Sequence, residues 1–228
     1  MLKPKRKITK KEIKRDPLLE TVYKVQKLFL EKRNFISITG IILFSIILIF
    51  FLFQSIKNNK NVEANKIMST AMSLYQNDNF SEALLTFDNL ISDFENTIDG
   101  KKALFYSAKI HMNAGRNIEA RKFAQDYLET GKSSTHTLGS FLILAEINEN
   151  AGEYFDAATN YLKASKISNS DIQKNRIMIK ALSCFVLDEN FDQASEIISE
   201  LDNTITSNDP LNKDYARAKS KFHIYFNR

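Results

Sequence analysis

The chain has 228 residues, enough for one domain and further segments, and its hydrophobic content of 43% is ordinary for a folded protein. Its single cysteine, Cys184, excludes an internal disulfide and a multi-cysteine zinc site, and we interpret it as a small core residue. The net charge of +5 is uneven: residues 1–34 carry twelve Lys or Arg against four Asp or Glu, and the remainder carries twenty against twenty-three. The basic character is therefore confined to one terminus, and nucleic acid is not an expected partner.

Residues 1–34 are predicted to form a basic cytoplasmic tail. Asp16-Pro17 is a helix-start pattern, and apolar residues follow at helical spacing from Leu18 to Phe29. Such an amphipathic helix would lie along a membrane surface, held by apolar burial and by attraction to anionic lipid. The alternative is that the tail serves only as a topology signal.

A transmembrane helix is predicted over residues 35–54. The nineteen residues from Phe35 to Phe53 carry no charge and include fifteen Phe, Ile or Leu, and a helix of this length spans a lipid bilayer of roughly 30 Å. A buried core helix is seldom apolar on every face, and a cleaved signal peptide has a shorter apolar core, so an uncleaved signal anchor is preferred. The basic flank predicts a cytoplasmic N-terminus in the inner (cytoplasmic) membrane, with the following domain periplasmic or otherwise extracytoplasmic. An inverted topology, with a cytoplasm-facing adaptor, is the alternative.

A polar spacer is predicted over residues 55–63, followed by four copies of a helix-turn-helix unit. Each copy has an Ala in its second helix, 37 residues after the previous one, and a small residue twelve positions upstream in three copies. Small residues at a crossing allow two helices to approach closely, and stacked copies bury faces that one copy leaves open. The repeats span 64–98, 101–135, 138–172 and 175–208; the recurring alanines are Ala83, Ala120, Ala157 and Ala194, preceded by Ala71, Ala108, Ala145 and, in the fourth copy, Leu182.

The last segment, residues 209–228, is predicted to be a helix that begins at Asp209-Pro210 and caps the fourth repeat. Tyr215, Ala218, Phe222 and Tyr225 share one of its faces. A partner-binding helix is the alternative.

The repeating unit resembles the tetratricopeptide repeat family, most closely at Ala145, Tyr154, Ala157, Tyr161 and Ala164. It departs from that family in its period of 37 rather than about 34 residues and in lacking a closing Pro. The resemblance implies a right-handed solenoid of about four repeats. With the single transmembrane helix and the C-terminal capping helix predicted above, the expected fold is all-α. The layout is also similar to bacterial membrane-anchored periplasmic proteins of the ancillary Sec-translocon-subunit and cell-division-coordinator type.

No pattern for catalysis, a metal or a cofactor is found. His111, His136 and His223 lie in separate segments without a ligand at metal-binding spacing, and His111 is expected to be a core histidine. No Gly-rich phosphate loop or nucleophile motif is present in the sequence. We therefore predict that the protein is not an enzyme.

The resemblance implies a concave, partner-binding wall on the first helix of each repeat, and flexible methionines suit adaptable contacts with apolar segments. Proteins or unfolded polypeptide segments are the expected partners, with a structural tether or self-associating component of an envelope or cell-division complex as the alternative function. Phe105 and Leu142 could instead pack between repeats. The predicted face consists of Met68, Met72, Tyr75, Phe105, Lys109, Met112, Leu142, Glu146, Glu149 and Ile179.

Overall fold

The computed structural model describes residues 17–131 and 133–227, which form ten α-helices and no strand. Residues 1–16 of the predicted tail lie outside the described part of the chain. The helices are α1 (Pro17–Glu31), α2 (Arg33–Gln76), α3 (Phe80–Asp93), α4 (Ile98–Asn113), α5 (Asn117–Thr130), α6 (Ser134–Asn150), α7 (Tyr154–Ile167), α8 (Asp171–Leu187), α9 (Phe191–Asp202) and α10 (Asn212–Phe226). The predicted all-α class is confirmed.

The chain divides into two compact units, Met1–Asn58 and Asn59–Arg228. The first unit contains α1, which begins at the predicted Pro17, and the apolar part of α2. Every large apolar side chain described between residues 35 and 53 is exposed, from 51% at Leu48 to 72% at Phe53. By length and composition, Ser37–Gln76 is the one helix in the described ranges that is able to cross a membrane.

The predicted spacer, residues 55–63, is helical in the structure because α2 continues without a break to Gln76. Residues 54–76 contain no Pro or Gly. Extending an existing helix gains a hydrogen bond for each residue ordered and avoids the cost of a new nucleus. The first helix of the first repeat is therefore the C-terminal part of α2, and no coil precedes it.

In the second unit, a tight turn joins the two helices of each of the four pairs. Each turn contains one residue with a left-handed backbone. The residue after each donates its N–H to the carbonyl five positions earlier, as Asn79 does to Leu74 at 3.0 Å, which satisfies a free carbonyl at the helix end. The four turn residues stand 37 positions apart, which confirms the predicted period. They are Asp78 (φ +60°), Gly115 (φ +71°), Gly152 (φ +78°) and Glu189 (φ +59°).

The small residues predicted at the helix crossings are buried. The four recurring alanines of the second helices and the three upstream alanines are all 0% exposed, and so is Leu182 in the fourth copy. Because none of these alanines extends beyond Cβ, the paired helices approach closely and larger side chains such as Phe87 and Tyr161 fill the space beside them. The resulting core consists of three clusters along the second unit.

The C-terminal helix α10 packs against α8 and α9, as predicted for a helix that covers the fourth repeat. Tyr215, Ala218 and Phe222 are buried in the cluster that includes the third and fourth pairs, and Tyr225 packs against it. The helix begins at Asn212, later than predicted, because the Asp209 carboxylate accepts the Leu211 N–H at 2.7 Å and closes a preceding turn.

Candidate interaction face

The first helix of each pair is called here an A helix: residues 64–76 of α2, then α4, α6 and α8. The first three A helices contact one another through side chains. Asn65 Nδ2 donates to Asp99 Oδ2 at 3.2 Å between α2 and α4, and the Phe105 and His136 ring centroids are 4.8 Å apart between α4 and α6. Side chains from these three A helices therefore form a shared surface.

An aromatic cluster of Tyr75, Phe105, Tyr106 and His136 occupies this surface. Tyr106 lies edge-to-face with Tyr75 at 5.5 Å, with Phe105 at 5.3 Å and with His136 at 5.8 Å between ring centroids. Such pairs contribute about 0.5–1.5 kcal/mol each beyond the area they bury. All four rings are half-buried, so each one is held by its neighbours while part of it stays open to solvent.

Two fully buried rings support the aromatic cluster from below. Phe87 stacks on Tyr106 at 5.8 Å with an interplanar angle of 9°, and Tyr127 lies 6.2 Å from Phe105. Phe87 and Tyr127 come from the second helices of their pairs and are 0% and 1% exposed. Because the supporting rings belong to the core, the exposed edges of the aromatic cluster are preorganised.

The charges beside the aromatic cluster are mainly positive. Lys109 is exposed, with Nζ 5.7 Å from the Tyr75 ring centroid, whereas the Lys102 Nζ is paired with Asp99 at 2.9 Å. Burial, with a smaller contribution from Lys102, lowers the pKa of His136 below its ordinary 6.5, so the imidazole is neutral at pH 7. The surface therefore combines neutral rings with one exposed cation.

The acidic part of the predicted face lies on α6. The Tyr161 hydroxyl donates to Glu149 Oε2 at 2.7 Å, and Lys180 Nζ lies 5.3 Å from the Tyr161 ring centroid. Burial, followed by the hydrogen bond to Glu149, raises the pKa of Tyr161, so the hydroxyl keeps its proton and fixes the carboxylate. Glu146 is exposed on the same helix.

Cys184 is fully buried next to this region, as expected of a small core residue. Burial raises the pKa of its thiol to about 12, with Glu149 adding to the shift. Because the thiolate is the nucleophile, this thiol is unreactive at neutral pH.

The structure places the ten predicted face residues in three environments. Met68 and Ile179 are only 6% and 7% exposed and belong to the core, so they stabilise the repeats and are not open to a partner. Lys109 and Glu146 are exposed. The half-buried residues are Met72, Tyr75, Phe105, Met112, Leu142 and Glu149.

Phe105 makes the contact between repeats that the alternative interpretation expected. The Phe105 ring lies against Gly139 of α6, where a Cβ would approach Phe105 Cε2 to 2.5 Å. Leu142 packs against the cluster of the third and fourth pairs. Phe105 thus holds α4 and α6 together, and both residues expose only part of their surface.

The sequence interpretation missed Tyr106 and His136, which complete the aromatic cluster. Tyr106 follows a predicted face residue in the middle of α4, and His136 stands 37 positions after Asp99, so the repeat register places it near the start of an A helix. Their contact across α4 and α6 depends on how neighbouring pairs pack, and no local pattern specifies it.

The histidines do not form a metal site in the part of the chain that the structure describes, where no group of three or more His, Cys, Asp or Glu is suitably placed. His111 stacks on Phe123 at 5.3 Å with an interplanar angle of 20°, and burial lowers its pKa. Its ring packs against a neighbouring helix but is only half-buried, so His111 lies at the edge of the core, and not within it as the sequence had suggested.

The described residues thus define an all-helical protein with four helix pairs in a 37-residue register and one helix of membrane-spanning length. No family model, curated protein or solved structure matches the chain. Its function is therefore inferred from its own surfaces and charges.

Proposed function

We propose that the protein is a membrane-anchored interaction scaffold whose helix pairs form a right-handed solenoid of the tetratricopeptide type. Support comes from the left-handed turn residue that recurs every 37 positions and from the packing of each helix from α3 to α9 against the next. Repeats that contact only their neighbours stack into extended, curved surfaces. The A helices line the concave side, and α10 closes the last repeat.

The proposed anchor is the apolar segment of residues 35–53. Its large side chains find no cover in the described protein, and leaving each in water forgoes about 1.5–3 kcal/mol of burial free energy. Bilayer hydrocarbon supplies that cover. The basic residues that precede the segment favour a cytoplasmic N-terminus and an extracytoplasmic repeat unit.

Topology is tested by placing a cysteine at Lys60, which is exposed, and treating intact cells with a membrane-impermeant thiol reagent. We expect modification without permeabilisation. Cys184 gives little background because it is buried and its pKa is raised to about 12. Modification only after permeabilisation would support the inverted topology and a cytoplasm-facing adaptor.

The aromatic cluster beside Lys109 carries the binding proposal. Aromatic side chains that are rigid and partly exposed are the residue types that dominate binding energy at protein interfaces. Met72 and Met112 are half-buried on the same helices and can adapt to apolar side chains of different shape. We therefore assign to this surface the binding of extended, apolar polypeptide segments, such as those of newly exported or envelope proteins.

Co-purification in mild detergent, followed by mass spectrometry, tests this function. A scaffold of this kind should enrich translocon components, periplasmic chaperones or exported polypeptides. The variant Lys109→Glu should weaken the enrichment, because it reverses the charge beside the cluster. Lys122→Glu makes the same change at an exposed position of α5, away from the cluster, and should not weaken it. Equal recovery with both variants, or no enriched exported protein, would refute the assignment.

The alternative function is a structural tether that associates with itself or with an envelope complex. Leu85 and Ile118, on α3 and α5, are 71% and 85% exposed, and apolar side chains on second helices could serve such contacts. The mass of the full chain in a lipid nanodisc or mild detergent distinguishes the two functions. A monomer supports the scaffold, whereas a defined oligomer lost in Leu85→Ser or Ile118→Ser supports the tether.

A further inference from the structure

Helix α1 carries an apolar surface that no described part of the protein covers. Val22 and Val25 are each 60% exposed and Phe29 is 55% exposed, at spacings that place them on one face. Leu30 is 67% exposed and Tyr23 73%, which widens the apolar surface around the helix. A helix of fifteen residues with this much exposed apolar area requires a partner to be stable.

The charged residues of α1 form a narrow stripe whose charges cancel. Glu20, Lys24, Lys27 and Glu31 fall within an arc of about 60° on a helix of 3.6 residues per turn. Lys24 Nζ lies 3.5 Å from Glu20, and Lys27 Nζ lies 3.8 Å from Glu31, each pair four residues apart along the helix. The stripe therefore has no formal net charge.

The position of α1 in the chain identifies its partner as lipid. Lys32 is a one-residue turn between α1 and α2, and its N–H donates to the Leu28 carbonyl at 3.0 Å. The exposed apolar side chains of α2 begin at Phe35. With so short a connection, α1 ends within a few residues of the start of the membrane-length segment, so the nearest apolar phase is the bilayer that this segment is proposed to enter.

We propose that α1 lies in the headgroup region of the same bilayer, with Val22, Val25 and Phe29 toward the acyl chains and the stripe of Lys24 and Lys27 toward water. The inference rests on the proposed membrane anchor. The stripe has no net charge, and the basic excess of residues 1–34 lies outside it, so burial of apolar side chains is what holds α1 itself in place. A helix of this kind is buried about 5–10 Å at the boundary between headgroups and acyl chains.

The test uses the full chain reconstituted in phosphatidylcholine vesicles, with an environment-sensitive fluorophore on one introduced cysteine. Val25→Cys and Lys27→Cys form a matched pair, two residues apart in sequence and on opposite sides of the helix. Leu48→Cys in the apolar part of α2 reports the anchor independently. Cys184 is buried, and its raised pKa of about 12 keeps it from taking the label.

We expect the label at position 25 to emit at shorter wavelength than the label at position 27, and to be quenched at least about twofold more by lipids brominated on the acyl chain. This difference should persist when the salt concentration is raised, because the attraction is apolar. Equal quenching at 25 and 27, with strong quenching at 48, would overturn the inference and leave the anchor intact. Absence of quenching at 48 would refute the anchor, and the inference with it.

A second copy of the chain is the competing occupant of the apolar face. Diluting labelled protein with unlabelled protein in the vesicles should leave the emission of the label at position 25 unchanged if lipid covers it. A change in emission on dilution, with energy transfer between labelled copies at position 25 but not at 27, would show that the face is a protein interface and would overturn the lipid assignment.

Discussion

The two compact units use the same apolar side chains for opposite purposes. Between residues 35 and 53 of the first unit, Phe, Ile and Leu occur on every side of the helix, and their described side chains are exposed. In the second unit, apolar side chains recur on particular faces, and the alanines between them are fully buried. The pattern that distinguishes the units is the presence of small residues at a fixed interval, since apolar content alone does not separate them.

This difference shows what each unit needs from its surroundings. One neighbouring helix cannot bury the whole surface of a helix that is apolar on all sides. A bilayer buries that surface without specific contacts. A helix with an alanine at its crossing point is shaped for one particular neighbour. Substitutions in the first unit should therefore affect membrane insertion, and substitutions in the second unit should affect the stability of the fold. A substitution that affected the property of the other unit would contradict the comparison.

The largest expected effect comes from a charge in the apolar segment. Ile46→Lys should cost about 3 kcal/mol of insertion free energy, because a lysine at the centre of a span must leave water or distort the bilayer. Measured by carbonate extraction of membranes, the variant should release a larger soluble fraction than Ile46→Val. Its repeat unit should keep the wild-type melting temperature in detergent, and a lowered value would show that the segment contributes to the fold of the second unit.

The next effect concerns the helix crossing of the third pair. Ala157→Leu should lower the free energy of unfolding by about 1–3 kcal/mol, because the added atoms have no space at a position that is 0% exposed. Ala216→Leu, at an exposed position of α10, is the matched control and should be nearly neutral. Thermal unfolding in detergent, followed by circular dichroism, measures both. Equal melting temperatures would contradict the assignment of Ala157 to a close helix contact.

A smaller effect is expected at the left-handed turns, where two opposite substitutions should change the stability in opposite directions. Asp78→Gly should raise the free energy of unfolding by up to about 1 kcal/mol, since a non-glycine residue with φ of +60° is strained. Gly115→Asp is the reverse substitution at the equivalent turn of the next repeat, and it should lower the free energy of unfolding. A Cβ at Gly115 meets no atom within 4 Å, so the loss would report backbone strain alone. Chemical denaturation should give changes of opposite sign, and changes of the same sign would argue against equivalent turns.

The smallest effect is predicted at the attachment of α10. Asp202 accepts hydrogen bonds from Lys219 and Tyr215, each at 2.7 Å, and these bonds hold the pKa of Asp202 below its ordinary 3.8. A depressed folded pKa contributes stability that is present above the unfolded pKa and lost as the pH falls through the folded pKa. Asp202→Asn should thus lower the melting temperature at pH 7, and the difference should shrink below about pH 3.8.

The control for this prediction is Glu196→Gln, which removes one negative charge from an exposed position of the same helix. Its melting temperature should follow the wild type at both pH values. A difference for Asp202→Asn that grows as the pH falls would contradict the stated role of the carboxylate.

The repeat period was predictable from sequence because each copy has a small residue or a turn residue at an equivalent position. Ala83 and Ala120, 37 residues apart, already identify the register, and Gly115 with Gly152 identify the turns. Asp78 and Glu189 occupy the same turns without being glycine, and only the register points to their left-handed backbone. The helical continuation through residues 55–63 was not predictable, since Asn and Lys are compatible with helix and coil alike.

The candidate face was predictable only in part, because exposure depends on packing between repeats. Met68 and Met72 lie one turn apart on α2, yet Met68 is buried and Met72 is half-buried. The aromatic cluster joins Tyr75, Tyr106 and His136 from three helices. A single sequence specifies which helix carries each ring, but the side-by-side placement of those helices appears only in the structure.

The most direct test of the scaffold is site-specific photo-crosslinking of the full chain in native membranes. A photoreactive amino acid at Lys109 lies beside the aromatic cluster, and one at Lys122 lies at an exposed position of α5. We predict adducts with exported or envelope polypeptides at position 109 and few at position 122, with the position 109 adducts competed by an added unfolded polypeptide. Equal adduct formation at both positions, or adducts at 122 alone, would contradict a binding face on the A helices.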